Sequence, residues 1–72
     1  MFTKELFGQR LKSVRKAAKE NQEVLAAVIN VTKSQISEME SGKKTTTVEK
    51  VALICEHYGI SSDYLLGLKD EQ

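Results

Sequence analysis

Seventy-two residues suffice for one hydrophobic core, so the sequence reads as a single domain, 1–72. With no Pro, no Trp and four Gly, the composition favours helices over a turn-rich β fold, and the single cysteine, Cys55, excludes an internal disulfide framework and an all-Cys metal site. The net charge of +1 says little, but its distribution is uneven: residues 1–19 carry +5 and residues 56–72 carry −3. Such a polarity suits a polyanionic partner, and it equally suits ordinary solvated helix faces. No apolar run approaches membrane-spanning length and the N-terminus lacks a signal-peptide core, so no membrane role is expected and cytoplasmic residence is.

Helix 1 is expected over residues 3–18, with Thr3 as N-cap. Phe7, Leu11, Val14 and Ala18 recur on one stripe, widened by Leu6. Arg10, Lys12, Lys16 and Lys19 fall off that stripe and should be solvated, while Arg15 sits at its edge. Asn21 caps helix 2, Gln22 to Ile29, whose inner face is Leu25, Ala26, Val28 and Ile29. Asn30 tolerates a left-handed backbone and can end that helix abruptly. Thr32 restarts the chain as an N-cap, and Gln35 three residues on completes a capping box. Helix 3, Lys33 to Ser41, buries Ile36 and Met39 with Val31 ahead of them, and Gly42 stops it.

Beyond the basic loop Lys43-Lys44-Thr45, Thr46 and Glu49 read as a second capping box, opening helix 4 at about Thr47. Its stripe is Val48, Val51, Ala52 and Cys55, with Leu53, Ile54 and Tyr58 alongside, and Gly59 ends it. On that stripe Cys55 reads as a core residue. His57 has no metal-ligand spacing to Cys55, Glu56 or Asp63 and reads as a surface or helix-end residue. Ser61 caps a last short helix that buries Tyr64, Leu65 and Leu66; Gly67 closes it, and Leu68 to Gln72 are expected to fray.

The fold class is therefore all-α, a compact five-helix bundle. Helices 2 and 3 are too close in sequence to be anything but a helix-turn-helix, with helix 3 as the element that enters a DNA major groove. With Phe7-Gly8-Gln9-Arg10-Leu11-Lys12, Arg15-Lys16, Gln22, Leu25-Ala26, Ile36-Ser37, Glu40-Ser41-Gly42-Lys43 and Tyr64-Leu65-Leu66-Gly67 in this order and spacing, the chain resembles the Cro and phage-repressor helix-turn-helix family, the lambda-repressor-like DNA-binding domain. The resemblance covers roughly Phe7 to Gly67. It implies a sequence-specific regulator of transcription, a repressor, that binds double-stranded DNA as a homodimer on a palindromic operator, without cofactor, metal or small-molecule ligand.

By position, the resemblance implies that Arg15 and Glu40 form a partly buried salt bridge. Asn21 and Gln22 hold a phosphate at the start of helix 2, and Lys43, Lys44 and Thr45 grip the backbone further along. Thr32, Lys33, Ser34 and Glu38 face the bases, with Gln35 as a further reader whose capping role competes. A dimer surface is expected from Tyr58, Ile60, Tyr64, Leu65, Leu66 and Leu68, the same residues a core could use. The chain departs from the family where Lys19 and Glu20 replace a Gly and an apolar residue, so helix 1 is expected to run on or turn differently. Asn30 stands where the turn usually has Gly, Thr46 where Pro is frequent, and the acid Glu38 faces the phosphates. The second reading is a protein-interaction module of the same fold, such as an antitoxin or anti-repressor partner with DNA binding lost. Lys33, Lys43, Lys44 and the basic first helix weigh against it. No nucleophile system, carboxylate pair or phosphate-cradling glycine loop points to an enzyme.

Overall fold

A computed structural model describes residues 1–71, and among them every regular element is a helix. The order is α1 (Lys4–Ala17), α2 (Gln22–Ile29), α3 (Lys33–Glu40), α4 (Val48–Tyr58) and α5 (Ser62–Leu65). Each helix begins on a side-chain cap of the expected kind. The Thr3, Asn21, Thr32, Thr47 and Ser61 side chains accept from the amides of Leu6, Val24, Gln35, Lys50 and Tyr64. At Thr32 the capping box is complete, because the Gln35 side chain also accepts from the Thr32 amide at 2.8 Å.

Phe7 and Leu11 of α1, Leu25, Ala26 and Ile29 of α2, Ile36 and Met39 of α3, Ile54 of α4 and Leu65 of α5 form the buried cluster. Helix α3 lies against α1 and α2, α4 against α2, and α5 closes the bundle against α1 and α4. The α1–α3 approach is tight at Gly8, where a Cβ would stand 2.4 Å from the Met39 carbonyl oxygen and 2.8 Å from that of Glu40. No side chain fits against backbone at that distance, so Gly8 lets the first helix bed on the end of the third.

Five expectations are corrected by the packing. The cap of α4 is Thr47, one residue later than the Thr46/Glu49 box. The α4 stripe turns with it: Ile54 is buried, Val51, Cys55 and Tyr58 flank it, Ala52 and Leu53 are exposed, and Val48 is 82% exposed. Ala18 is likewise exposed, since α1 has already ended. Arg10 is not solvated but reaches across to the C-terminal segment. It donates to the carbonyls of Tyr64 and Lys69, pairs with Asp70 at 3.2 Å, and lies 4.3 Å from the centroid of the Tyr64 ring. Leu68 to Asp70 are thereby tied to α1 rather than fraying; Gln72 lies outside the described residues.

Helix α1 does not run on. Lys19 takes the left-handed backbone, φ 60°, that a glycine would take there. The Glu20 and Lys19 amides then donate back to the carbonyls of Arg15 and Lys16, closing the helix as a Schellman turn. A left-handed lysine costs roughly 1–2 kcal/mol, and part of that is offset by its stiffer unfolded chain. Lys19→Gly should therefore raise stability by up to about 1 kcal/mol, a few degrees in the thermal midpoint. Thermal unfolding followed by circular dichroism checks this, and a lower midpoint would contradict the assigned strain.

Candidate nucleic-acid interface

The helix-turn-helix comprises α2, a short turn and α3. Asn30 supplies the turn with φ 58°, and the amides of Asn30 and Val31 both return to the Ala26 carbonyl. Helix α3 has only Ile36, Met39 and Glu40 buried, which leaves Lys33, Ser34, Gln35 and Ser37 exposed and Glu38 half-exposed. Ser37, not among the expected readers, is one helical turn from Lys33 and Ser34; the spacing was visible in the sequence.

The far end of α3 is held from below. Arg15 donates from Nε to Glu40 Oε2 at 2.6 Å and from Nη2 to Oε1 at 3.0 Å, with the two side chains only 8% and 4% exposed. This is the expected pair, in a bidentate form. Its hydrogen bonds to Glu40 hold the Arg15 pKa above its ordinary value against the burial that lowers it. Two further bonds extend the pair. Arg15 Nη1 donates to the Glu20 carbonyl at 2.6 Å, and Gln22 Nε2 donates to Glu40 Oε1 at 3.1 Å. One buried ion pair thus fixes α1, the turn before α2, the start of α2 and the end of α3 relative to one another.

Glu20, which stands where the resembled family usually has an apolar residue, is satisfied from α4. His57 Nε2 lies 3.0 Å from both carboxylate oxygens and the Tyr58 hydroxyl donates at 3.0 Å. The His57 and Tyr58 hydrogen bonds lower the Glu20 pKa, partly opposed by desolvation. Burial first, then that carboxylate, pushes the Tyr58 phenol upward, so it remains a donor. Lys50 was also unforeseen: its Nζ donates to the Ile29 carbonyl at 2.8 Å, where it favours the negative end of the α2 dipole.

The other expected site residues lie around this frame. The Asn21 carboxamide oxygen is occupied as a cap, as are the Thr32 hydroxyl and the Gln35 carboxamide oxygen. Lys43, Lys44 and Thr45 are exposed just beyond α3; the Lys43 and Lys44 amides return to the Glu38 carbonyl across Gly42, whose φ is 82°. Gln35, Glu38, Lys44 and Thr45 line one open hollow with Thr47 and Lys50, of about 360 Å³. Two of the lysines have acids beside them: Lys33 Nζ is 3.7 Å from Glu23, and Lys44 Nζ is 3.7 Å from Glu38. Glu23 was not foreseen; ten residues separate it from Lys33, and no local spacing links them.

The proposed dimer surface is reduced. Leu65 is completely buried in the core and forms no part of a surface. Tyr58, Ile60, Tyr64 and Leu66 are half-buried, and Leu68 alone of the group is exposed, at 60%. No helix among the described residues is long and apolar enough to cross a membrane.

A capped, outward-facing helix bedded on its predecessor across a short turn defines a helix-turn-helix protein. The helix-turn-helix family model matches residues 11–65, and the chain belongs to that family. Within it, the chain is similar to the uncharacterised HTH-type transcriptional regulator YobD of Bacillus subtilis (strain 168). The two are 36% identical over 66 residues, 92% of this chain and 59% of the relative, so the chain spans about three fifths of that protein's length. Among solved structures, the P22 c2 repressor in complex with a synthetic operator superposes with a TM-score of 0.80 at 30% identity, covering 85% of this chain and 92% of that one. The restriction-modification controller protein C.AhdI from Aeromonas hydrophila gives 0.77 at 26%, covering 86% and 94%. Family and fold are those of DNA-binding regulators.

Removing one partner of the buried pair strands the other. Arg15→Ala or Glu40→Ala should cost about 3–5 kcal/mol, whereas the apolar double replacement Arg15→Met/Glu40→Leu should recover most of it. Urea unfolding of the three variants tests this, and equal losses in all three would show that the pair's charge is not what matters. A pH effect follows from Glu20. Its folded pKa lies below the ordinary 4.5, so its stabilisation is present above that value and is lost as pH falls through the folded pKa. Glu20→Gln should lower stability at neutral pH, and the gap to wild type should narrow as pH drops below about 4.5. A gap that stays constant down to pH 2 would refute the assignment.

Proposed function

We propose that this chain is a sequence-specific double-stranded DNA-binding regulator of transcription that acts as a repressor, with α3 in the major groove. The observation that carries the reading is the exposed α3, fixed at its end by Arg15 and Glu40 and bordered by Lys33, Lys43 and Lys44. Family membership and the likeness to a repressor crystallised with its operator support it. In this reading Asn21 and Gln22, at the start of α2, and Lys43, Lys44 and Thr45 engage phosphates, which supply most of the affinity. Gln22 has one amide hydrogen on Glu40 and one left for a phosphate oxygen, so the same side chain couples the buried pair to the DNA backbone.

Thr32, Lys33, Ser34, Gln35 and Glu38 read bases. Lys33 suits guanine O6 and N7, Ser34 either base type, and Glu38 the cytosine amino group. Gln35 reads with its amino group, its carbonyl oxygen being the cap. The chain works in the cytoplasm as a homodimer on a palindrome whose half-sites lie about 34 Å apart, one helical turn. Tyr58, Ile60, Tyr64, Leu66 and Leu68 supply the contact.

Binding to a pool of random duplexes at several salt concentrations, with sequencing of the bound fraction, tests the reading. The expected result is an enriched palindrome and a steep loss of affinity with salt. Lys33→Ala should relax preference at one base position, and Lys43→Ala should weaken all sequences alike. Retention of no duplex at any salt would sink the proposal.

A further inference from the structure

We propose that Glu23 is a positioning residue for DNA recognition: it tethers Lys33, keeps that ammonium off the phosphates of arbitrary DNA, and so widens the gap between the chain's own site and other sequences. The inference rests on the sequence-specific DNA-binding reading above. Glu23 is the second residue of α2 and Lys33 the first of α3, so their 3.7 Å ion pair spans the helix-turn-helix. Both side chains are more than 60% exposed, so the pair lies outside the core.

An acid beside a polyanion's binding face is unfavourable unless it acts on a cation. A lysine is a flexible point charge, and a free one follows phosphates on any sequence, adding to affinity without adding to choice. A tethered one does not. Held by charge attraction at 3.7 Å, the ammonium stays near the start of the reading helix and keeps its three donors for a base edge with paired acceptors. Lys44 is restrained similarly by Glu38 at the other end of α3. Glu38 lies on α3 itself, so removing it alters the readout as well; Glu23 lies on α2 and separates the two effects. An exposed pair is weak, so the tether biases Lys33 by about fivefold at most.

The test compares wild type, Glu23→Gln, Lys33→Ala and the double variant. Each is bound to the duplex enriched by selection and to a scrambled duplex of equal length, across a series of salt concentrations. Glu23→Gln should bind the scrambled duplex about twofold to fivefold tighter, with a salt slope steeper by about one. Binding to the selected duplex should change less, so the ratio of the two affinities falls. In the Lys33→Ala background the same substitution should leave that ratio and the slope unchanged. A parallel rise on both duplexes, or a rise that persists without Lys33, would mean that Glu23 merely repels phosphates, and overturns the tether. If wild type prefers no sequence, the regulator reading fails separately. The salt slope on scrambled DNA then still decides the tether, and an unchanged slope overturns it.

Discussion

The structure depends on one buried ion pair. Arg15 and Glu40 are almost inaccessible, yet the pair has its donors and acceptors filled from three directions: from each other, from the Glu20 carbonyl and from Gln22. A charge pair desolvated to this degree contributes less net stability than its attraction suggests. What it contributes is placement. An eight-residue helix with two buried apolar side chains cannot by itself choose an angle relative to its neighbours. The bidentate geometry ties the end of α3 to the last turn of α1, and Gly8 allows the two backbones to meet there.

The connections around that pair show how local chemistry and tertiary demand share the work. Asn30 and Lys19 both adopt the left-handed backbone. Asn does so with a small penalty, and its presence in the turn is unsurprising. Lysine does so only because the surroundings demand it: the Glu20 carbonyl must reach Arg15, and the Glu20 carboxylate must reach His57 and Tyr58. The strain at Lys19 and the buried ion pair belong to one arrangement.

The exposed side of α3 has a different economy. Its charges are balanced locally, Lys33 by Glu23 and Lys44 by Glu38, which fits a chain whose net charge is only +1. In the proposed DNA-binding role, so small a charge makes attraction to nucleic acid in general modest, and selectivity would come from where the few cations stand. Arg10 acts elsewhere: it holds the chain after α5 against α1, with Leu68 left on the surface.

Much of this was legible from the residues. Thr3, Asn21, Thr32, Ser61 and the turn at Asn30 act over three or four residues, so capping chemistry located α1, α2, α3 and α5 and the helix-turn-helix they build. The order of those motifs also pointed to the family and to the Arg15–Glu40 pair. At the start of α4 local chemistry chose the wrong threonine, because Glu49 completes a capping box with Thr46 while the cap is Thr47. The choice fell to packing, which buries Ile54 and leaves Val48 and Ala52 outside. Leu65 and Leu68 are both apolar near the chain's end, and only the closed bundle decides that one is core and the other surface. The partners of Arg10, Glu20, Glu23 and Lys50 lie between ten and sixty residues away, and no period or cap reaches that far. The sequence by itself determined which segments are helices and which one is left short and polar; the tertiary structure alone decided which charges meet, because ion pairs depend on distance in space.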